Sequence, residues 1–213
     1  MENAIQIIFD LAILLMSVVI HEVSHGYAAL RLGDRTAQLE GRLTLNPLNH
    51  LDPVGSVIVP IVSSLAGIPF GWAKPVPYNP YNLRNQKWGP AIVGAAGPGA
   101  NIALAVVFGM LVRFLPEFSR FIPGPFFFNF IAVASTIASI NLFLAFFNLI
   151  PLPPLDGSKL LFAILPYRYY HAQQFLEQYG FYILIFFIFF VGGGILLPLV
   201  RWAFYLISGS FPI

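Results

Sequence analysis

Apolar residues in this chain fall in long unbroken runs rather than in the one-faced or alternating patterns of a water-exposed domain. Four runs, 4–30, 91–115, 127–150 and 179–200, are long enough to cross a bilayer, which takes about 20 helical residues. The first makes roughly 40 Å of helix at 1.5 Å per residue, so part of it projects beyond the lipid. A fifth run, 54–70, is shorter and is interrupted by Pro60, Gly67 and Pro69. Proline lacks the N–H that continues a helix, and glycine weakens one. Two short alternating stretches, 37–45 and 73–78, read as a strand pair. The pattern predicts an all-α membrane protein forming a single domain over 1–213. A C-terminal transmembrane segment over about 176–208, a re-entrant segment and a short strand pair complete it.

Composition sharpens this. The chain is 58% hydrophobic, 16% aromatic and 9% charged, with a mean hydropathy of +0.78. A soluble domain of 213 residues could not bury that much apolar surface. The lipid bilayer is therefore an obligatory partner. A net charge of +2 gives no reason to expect nucleic acid. No cysteine is present, which excludes disulfides, thiolate ligands and a cysteine nucleophile. Met1-Glu2-Asn3-Ala4 lacks a basic n-region, so a removable signal peptide is not expected.

Against this background, residues 21–25 stand out: His-Glu-Val-Ser-His inside the first apolar run. His21 and His25 are one helical turn apart, so their imidazoles leave the same face and can close on one metal ion. Glu22 lies beside the open coordination position, where a general base is needed. Ionisable groups at membrane depth are costly and mark function. The bland alternative, hydrogen-bonded core histidines, leaves the pairing and Glu22 without an explanation.

A catalytic zinc takes three protein ligands and leaves one position open. The candidates for the third are His50, Asp52, Asp156, His171 and Glu177. Asp156 is favoured by its setting, Asn148-Leu-Ile-Pro-Leu-Pro-Pro-Leu-Asp156-Gly157. Pro151, Pro153 and Pro154 break the third run and present a carboxylate just as the chain leaves the lipid. The competing reading makes Asp156 the N-cap of a helix starting near Ser158.

For Asp156 to meet the histidines, an even number of crossings must separate them. Runs 91–115 and 127–150 supply two, so 54–70 should be re-entrant or half-inserted, covered by protein or a water-filled cavity. Arg31, Arg35, Arg42, Lys74, Arg84, Lys87, Lys159 and Arg168 all fall on the metal-site face, whereas the opposite connection holds Arg113 and Arg120. The positive-inside rule then predicts a multi-pass protein of the cell (plasma or inner) membrane, with its active site toward the cytoplasm.

HEVSH at 21–25, GPGAN at 97–101 and NLIPLPPLDG at 148–157 together resemble the site-2 protease family of intramembrane zinc metalloproteases. GRLTLNP at 41–47 and GWAKPVPYNP at 71–80 are similar to its compact prokaryotic branch, and no stretch is long and polar enough for a PDZ domain. The resemblance implies a three-helix catalytic core over about 4–165, with zinc, one ion per chain, held by His21, His25 and Asp156. It also implies Glu22 as catalytic base and transmembrane proteins as substrates. From its place at the broken helix end, Asn148 is the candidate for stabilising the oxyanion, or else it satisfies carbonyls freed by the prolines. Asn101, in a small-residue run, is assigned to helix packing. The strand pair could let an unwound substrate add as a further strand. A non-catalytic zinc-binding scaffold or chaperone of the same fold is the alternative, against which the intact Glu22 argues. A transporter would show an internal repeat, and none is visible.

Overall fold

A computed structural model describes residues 2–52, 74–117 and 124–211. The described residues are helical, with helices joined by turns and short extended stretches. They form α1 (Glu2–Arg31), a short α2 (Thr36–Leu39), α3 (Gly89–Phe114), α4 (Gly124–Asn148), α5 (Asp156–Ile164), α6 (Tyr170–Phe187) and α7 (Gly193–Ser208). Three spans are long and apolar enough to cross a membrane: Ile5–Arg31, Gly89–Glu117 and Phe126–Asn148. They correspond to the first three runs read from the sequence.

α1 stops because Gly33 adopts φ +110°. The N–H groups of Gly33 and Asp34 then turn back onto the carbonyls of Leu30 and Ala29, a Schellman closure that satisfies two C-terminal carbonyls. In α3, Gly89 and Pro90 open the helix and Pro98 lies inside it.

Packing among the spans divides by chemistry. Ala105 and Val112 of α3, Phe127, Ile131, Ala134, Ala138 and Leu142 of α4, and Val200, Ala203 and Phe204 of α7 form one apolar cluster. α1 contributes none of its members. Much of the first half of α1, including Ile7, Ile8, Phe9 and Leu11, faces outward. In lipid an apolar side chain gains little by leaving the tails, so small residues and hydrogen bonds must join the helices. Ser17 of α1, Asn101 of α3 and Asn141 of α4 supply those bonds, all of them buried.

One expectation is corrected. The strand pair does not form among the described residues: Ala37–Leu39 belong to α2, and 74–79 run without a ladder. The reason is local. Oδ1 of Asp34 accepts the main-chain N–H of Thr36 at 3.2 Å and its hydroxyl at 2.6 Å, an Asx-type bond that starts a helical turn and competes with strand pairing. The C-terminal run is bent. α6 leads through a π-helical turn, Ile188–Gly192, into α7, and the two arms are bent by 73°. Gly192-Gly193-Gly194 and Pro198 supply the weak helix formers at that bend. The proposed re-entrant run, 54–70, lies outside the described residues.

Candidate active site

Each functional side chain is held by its own local device. α1 carries His21 and His25 one turn apart on the face toward α3, where both are buried. Gly97 lies directly over them: a methyl at that Cα would sit 2.5 Å from Nε2 of His25 and 2.6 Å from Nε2 of His21. One turn away on the same helix, Gly94 leaves room for Lys159 and the Asp156 carbonyl of α5. The small-residue run of α3 is therefore the floor on which the α1 and α5 groups meet.

The prolines set the approach of Asp156. After α4 ends, Leu152 and Leu155 donate to Ile150 and Leu152 carbonyls at 2.8 and 2.9 Å, so the chain turns twice in seven residues. Gly157 packs on the Leu149 and Ile150 carbonyls at the end of α4, where any β-carbon would overlap them. α5 begins at Asp156 itself, and no side chain caps it. The capping reading of Asp156 is thereby set aside, since its carboxylate points elsewhere.

It points at the histidines. Asp156 Oδ2 lies 3.1 Å from Nε2 of His21 and 3.1 Å from Nε2 of His25. The two Nε2 atoms are themselves 3.1 Å apart. These three atoms form a nearly equilateral triangle. A tetrahedral zinc with bonds of about 2.0–2.1 Å places its ligand atoms roughly 3.3–3.4 Å apart, close to that spacing. Proton placement makes the same point. Nδ1 of His25 faces the Val93 carbonyl at 2.6 Å, and Nδ1 of His21 faces Oδ1 of Asn101 at 2.5 Å. Both partners accept, so both Nδ1 atoms carry the proton in the neutral rings and both Nε2 atoms present lone pairs. Two lone pairs and a carboxylate oxygen facing one point suit a cation. The donor set fits zinc.

Glu22 also lies within 4.8 Å of the imidazole nitrogens, but its surroundings differ from those of Asp156. Its Oε2 accepts the Val76 N–H at 2.9 Å. That bond holds Glu22 against the extended 74–79 stretch, at the wall of a cavity that Glu22 shares with both histidines. The cavity, of about 210 Å³, is also lined by Tyr78, Asn148 and Lys159. Asn148 gives one N–H to the Leu144 carbonyl at 2.9 Å. That carbonyl is not one the prolines free, so the alternative expected for Asn148 is not what the structure shows. That bond uses one of its two N–H groups, and Asn148 lines the cavity.

Lys159 holds the other carboxylate oxygen of Asp156, Oδ1, at 2.9 Å, with its ammonium 5.5 Å from the centre of the Tyr78 ring. Burial works against the charged Lys159, but the Asp156 carboxylate outweighs it and raises its pKa above the usual lysine value. The 74–79 stretch is itself pinned. Arg42 donates to the Asn49, Lys74 and Pro75 carbonyls. The remaining ligand candidates lie apart: buried His50 places Nε2 against the Thr44 carbonyl at 2.8 Å, and His171 and Glu177 are exposed on α6. Asp52 does not line the cavity.

The sequence reading missed Gly97, Asn101 and Asn141 as parts of the site. A signal existed for the asparagines, because a carboxamide in a membrane span requires a partner. Nothing in one sequence says that the partner is His21.

Comparison with known proteins agrees with this chemistry. The family model described as "Peptidase family M50" matches residues 124–191. "Putative zinc metalloprotease YwhC" of Bacillus subtilis is 34% identical over 88% of this chain and 84% of its own length. "Putative zinc metalloprotease Rip2" of Mycolicibacterium smegmatis is 33% identical over 80% of this chain, which spans 62% of that protein. A zinc metalloprotease of Methanocaldococcus jannaschii is 27% identical over 76% of this chain and 36% of its own length. No solved structure matches the chain. Identity of this degree along nearly the whole sequence, together with the family model, makes the chain a member of peptidase family M50, the site-2 proteases.

Proposed function

We propose that this protein is an intramembrane zinc endopeptidase that cuts the transmembrane segments of other proteins. His21, His25 and Asp156 hold one zinc ion, and Glu22 is the general base. The observation that carries this reading is the triangle of Nε2, Nε2 and Oδ2 atoms, 3.1 Å on each side, with every second heteroatom of those side chains already engaged. Bound zinc supplies Lewis-acid polarisation of a carbonyl and acidifies water.

Glu22 takes a proton from water in the cavity and returns it to the leaving amine, so one carboxylate serves as base and then as acid. The Val76 N–H fixes one oxygen and leaves the other to move the proton. Asn148, with an N–H to spare at the cavity wall, donates to the developing oxyanion. Lys159 keeps Asp156 from rotating, because it binds the oxygen that faces away from the histidines.

The setting supports a substrate that arrives through lipid. Both histidines sit in a membrane span, and the cavity opens beside the proline-broken end of another. The topology follows the same logic. The described residues flanking 54–70 meet, the His50 carbonyl accepting from the Lys74 N–H at 2.8 Å, which supports a segment that leaves and rejoins one face of the bundle. The excess of Lys and Arg on that face supports a cytoplasmic active site in the cell membrane. We read 1–213 as one peptidase domain.

The test is E22Q in the full-length protein, assayed on a membrane-embedded reporter. Zinc content should stay near that of the parent while cleavage falls by roughly 10²–10⁴-fold. Cleavage at the parent's rate would remove Glu22 as the base. D156A should instead lose zinc, and unchanged metal would remove Asp156 from the ligand set. If the parent binds zinc and cuts no membrane reporter, the scaffold reading takes its place.

A further inference from the structure

One buried residue is linked to His21 through a second side chain without lining the active-site cavity. Asn141, on α4, is 0% exposed. Its Nδ2 donates to the Ile137 carbonyl at 2.8 Å and to the Ser17 hydroxyl at 2.9 Å. Its Oδ1 accepts from Nδ2 of Asn101 at 2.7 Å. Asn101, also 0% exposed, then turns its own Oδ1 to Nδ1 of His21.

Only one polarity satisfies this chain. A carboxamide can be turned end for end with little change of shape, and the wrong end would present N–H to Nδ1 of His21. That would move the imidazole proton to Nε2, the atom that faces His25 and Asp156. The Ile137 carbonyl cannot donate, so the NH2 of Asn141 must point toward it. Asn141 then offers an oxygen to Asn101, and Asn101 in turn offers an oxygen to His21. The Ser17 carbonyl, 3.5 Å from Nδ2 of Asn101, is a longer contact of the same sense, and the 2.7 Å bond to Asn141 carries the polarity. His25 needs no such relay, because its Nδ1 meets the Val93 carbonyl directly.

We propose that Asn141 is a positioning residue for the metal centre: through Asn101 it fixes the Nδ1–H tautomer of His21 and so keeps the Nε2 lone pair free for the ion. This rests on the reading of His21 as a ligand. A residue that merely fills space would behave differently under two substitutions. N141L keeps the volume and removes the relay. N141D is worse for packing when charged, yet its uncharged form keeps an acceptor for Asn101 and a donor for Ile137.

The experiment uses the full-length protein labelled with 15N-histidine, of which the chain has four. The tautomer of His21 is read by nuclear magnetic resonance without metal, at a pH high enough that the imidazole facing the Asp156 carboxylate is neutral. Zinc affinity is measured separately by chelator competition. In N141L, His21 should shift toward Nε2–H and zinc affinity should fall about 10–100-fold, while N141D stays nearer the parent in both. An unchanged tautomer in N141L, or a larger loss in N141D than in N141L, overturns the relay. If N141L does not fold, N141A carries the same expectation. H21A separates the two readings. Unchanged zinc there, with a shifted tautomer in N141L, overturns the ligand assignment and leaves the relay supported.

Discussion

At the scale of single residues, the site is defined as much by an absent side chain as by those present. Gly97 touches the two Nε2 atoms so closely that a methyl would lie 2.5 and 2.6 Å from them. In G97A the methyl must displace at least one imidazole or occupy the position of the ion. Zinc affinity should therefore fall by about 10-fold or more, as expected for misoriented ligands. The apolar spans should stay assembled, because Gly97 lies outside the α3–α4–α7 cluster. Bound metal measured beside a thermal unfolding curve checks this, and a G97A protein with full zinc would contradict the geometry. That His21 and His25 share one helix face, with Glu22 beside them, was legible from spacing alone, since an i, i+4 pair must do so. Gly97 and Asn101 were not, because their importance depends on which helix packs against which.

At the scale of elements, Asp34 joins three pieces of chain that the sequence keeps far apart. Its carboxylate accepts from both Thr36 groups, from the Asn79 N–H at 2.8 Å and from Nδ2 of Asn82 at 2.9 Å. It thus clamps the end of α1 to α2 and to the turn that follows the 74–79 stretch, the same stretch that holds Glu22. Burial pushes the Asp34 pKa up, but these donors outweigh it and hold the carboxyl below its usual value. A depressed folded pKa stabilises the ionised form. That stability is complete above the unfolded carboxylate value of about 3.9 and is lost as pH falls through the folded value. D34N should therefore flatten the acid limb of the unfolding profile below about pH 4, and D34A should cost about 2–3 kcal/mol at neutral pH. Thermal unfolding in detergent between pH 3 and 7 checks both, and an unaltered acid limb in D34N would assign that limb to other groups. The same residue shows why the strand pair was misread. Alternation over 37–45 is a weak periodic signal, and one Asx-type bond at Thr36 is enough to choose a helical turn.

At the scale of the whole molecule, hydropathy located the crossings because the bilayer fixes their length. It could not locate the 73° bend between α6 and α7, where apolar residues continue through weak helix formers. The geometry of the site constrains topology further. His21, His25 and Asp156 can meet at 3.1 Å only if the chain between them crosses the membrane an even number of times, and α3 and α4 supply two crossings. On that reading Lys87, before α3, and Arg168, after α5, lie on the face of the proposed metal site, with Glu117 at the opposite end of α3. All three are exposed, and the chain has no cysteine of its own, so each can carry the only thiol in the protein. Leu83, by contrast, is 3% exposed and would report poorly. K87C and R168C should react with an impermeant maleimide only in inside-out vesicles, and E117C only in right-side-out ones, as the distribution of basic residues requires. Reaction of K87C and R168C from opposite sides would break the even count, and with it the shared depth on which the three-ligand site depends.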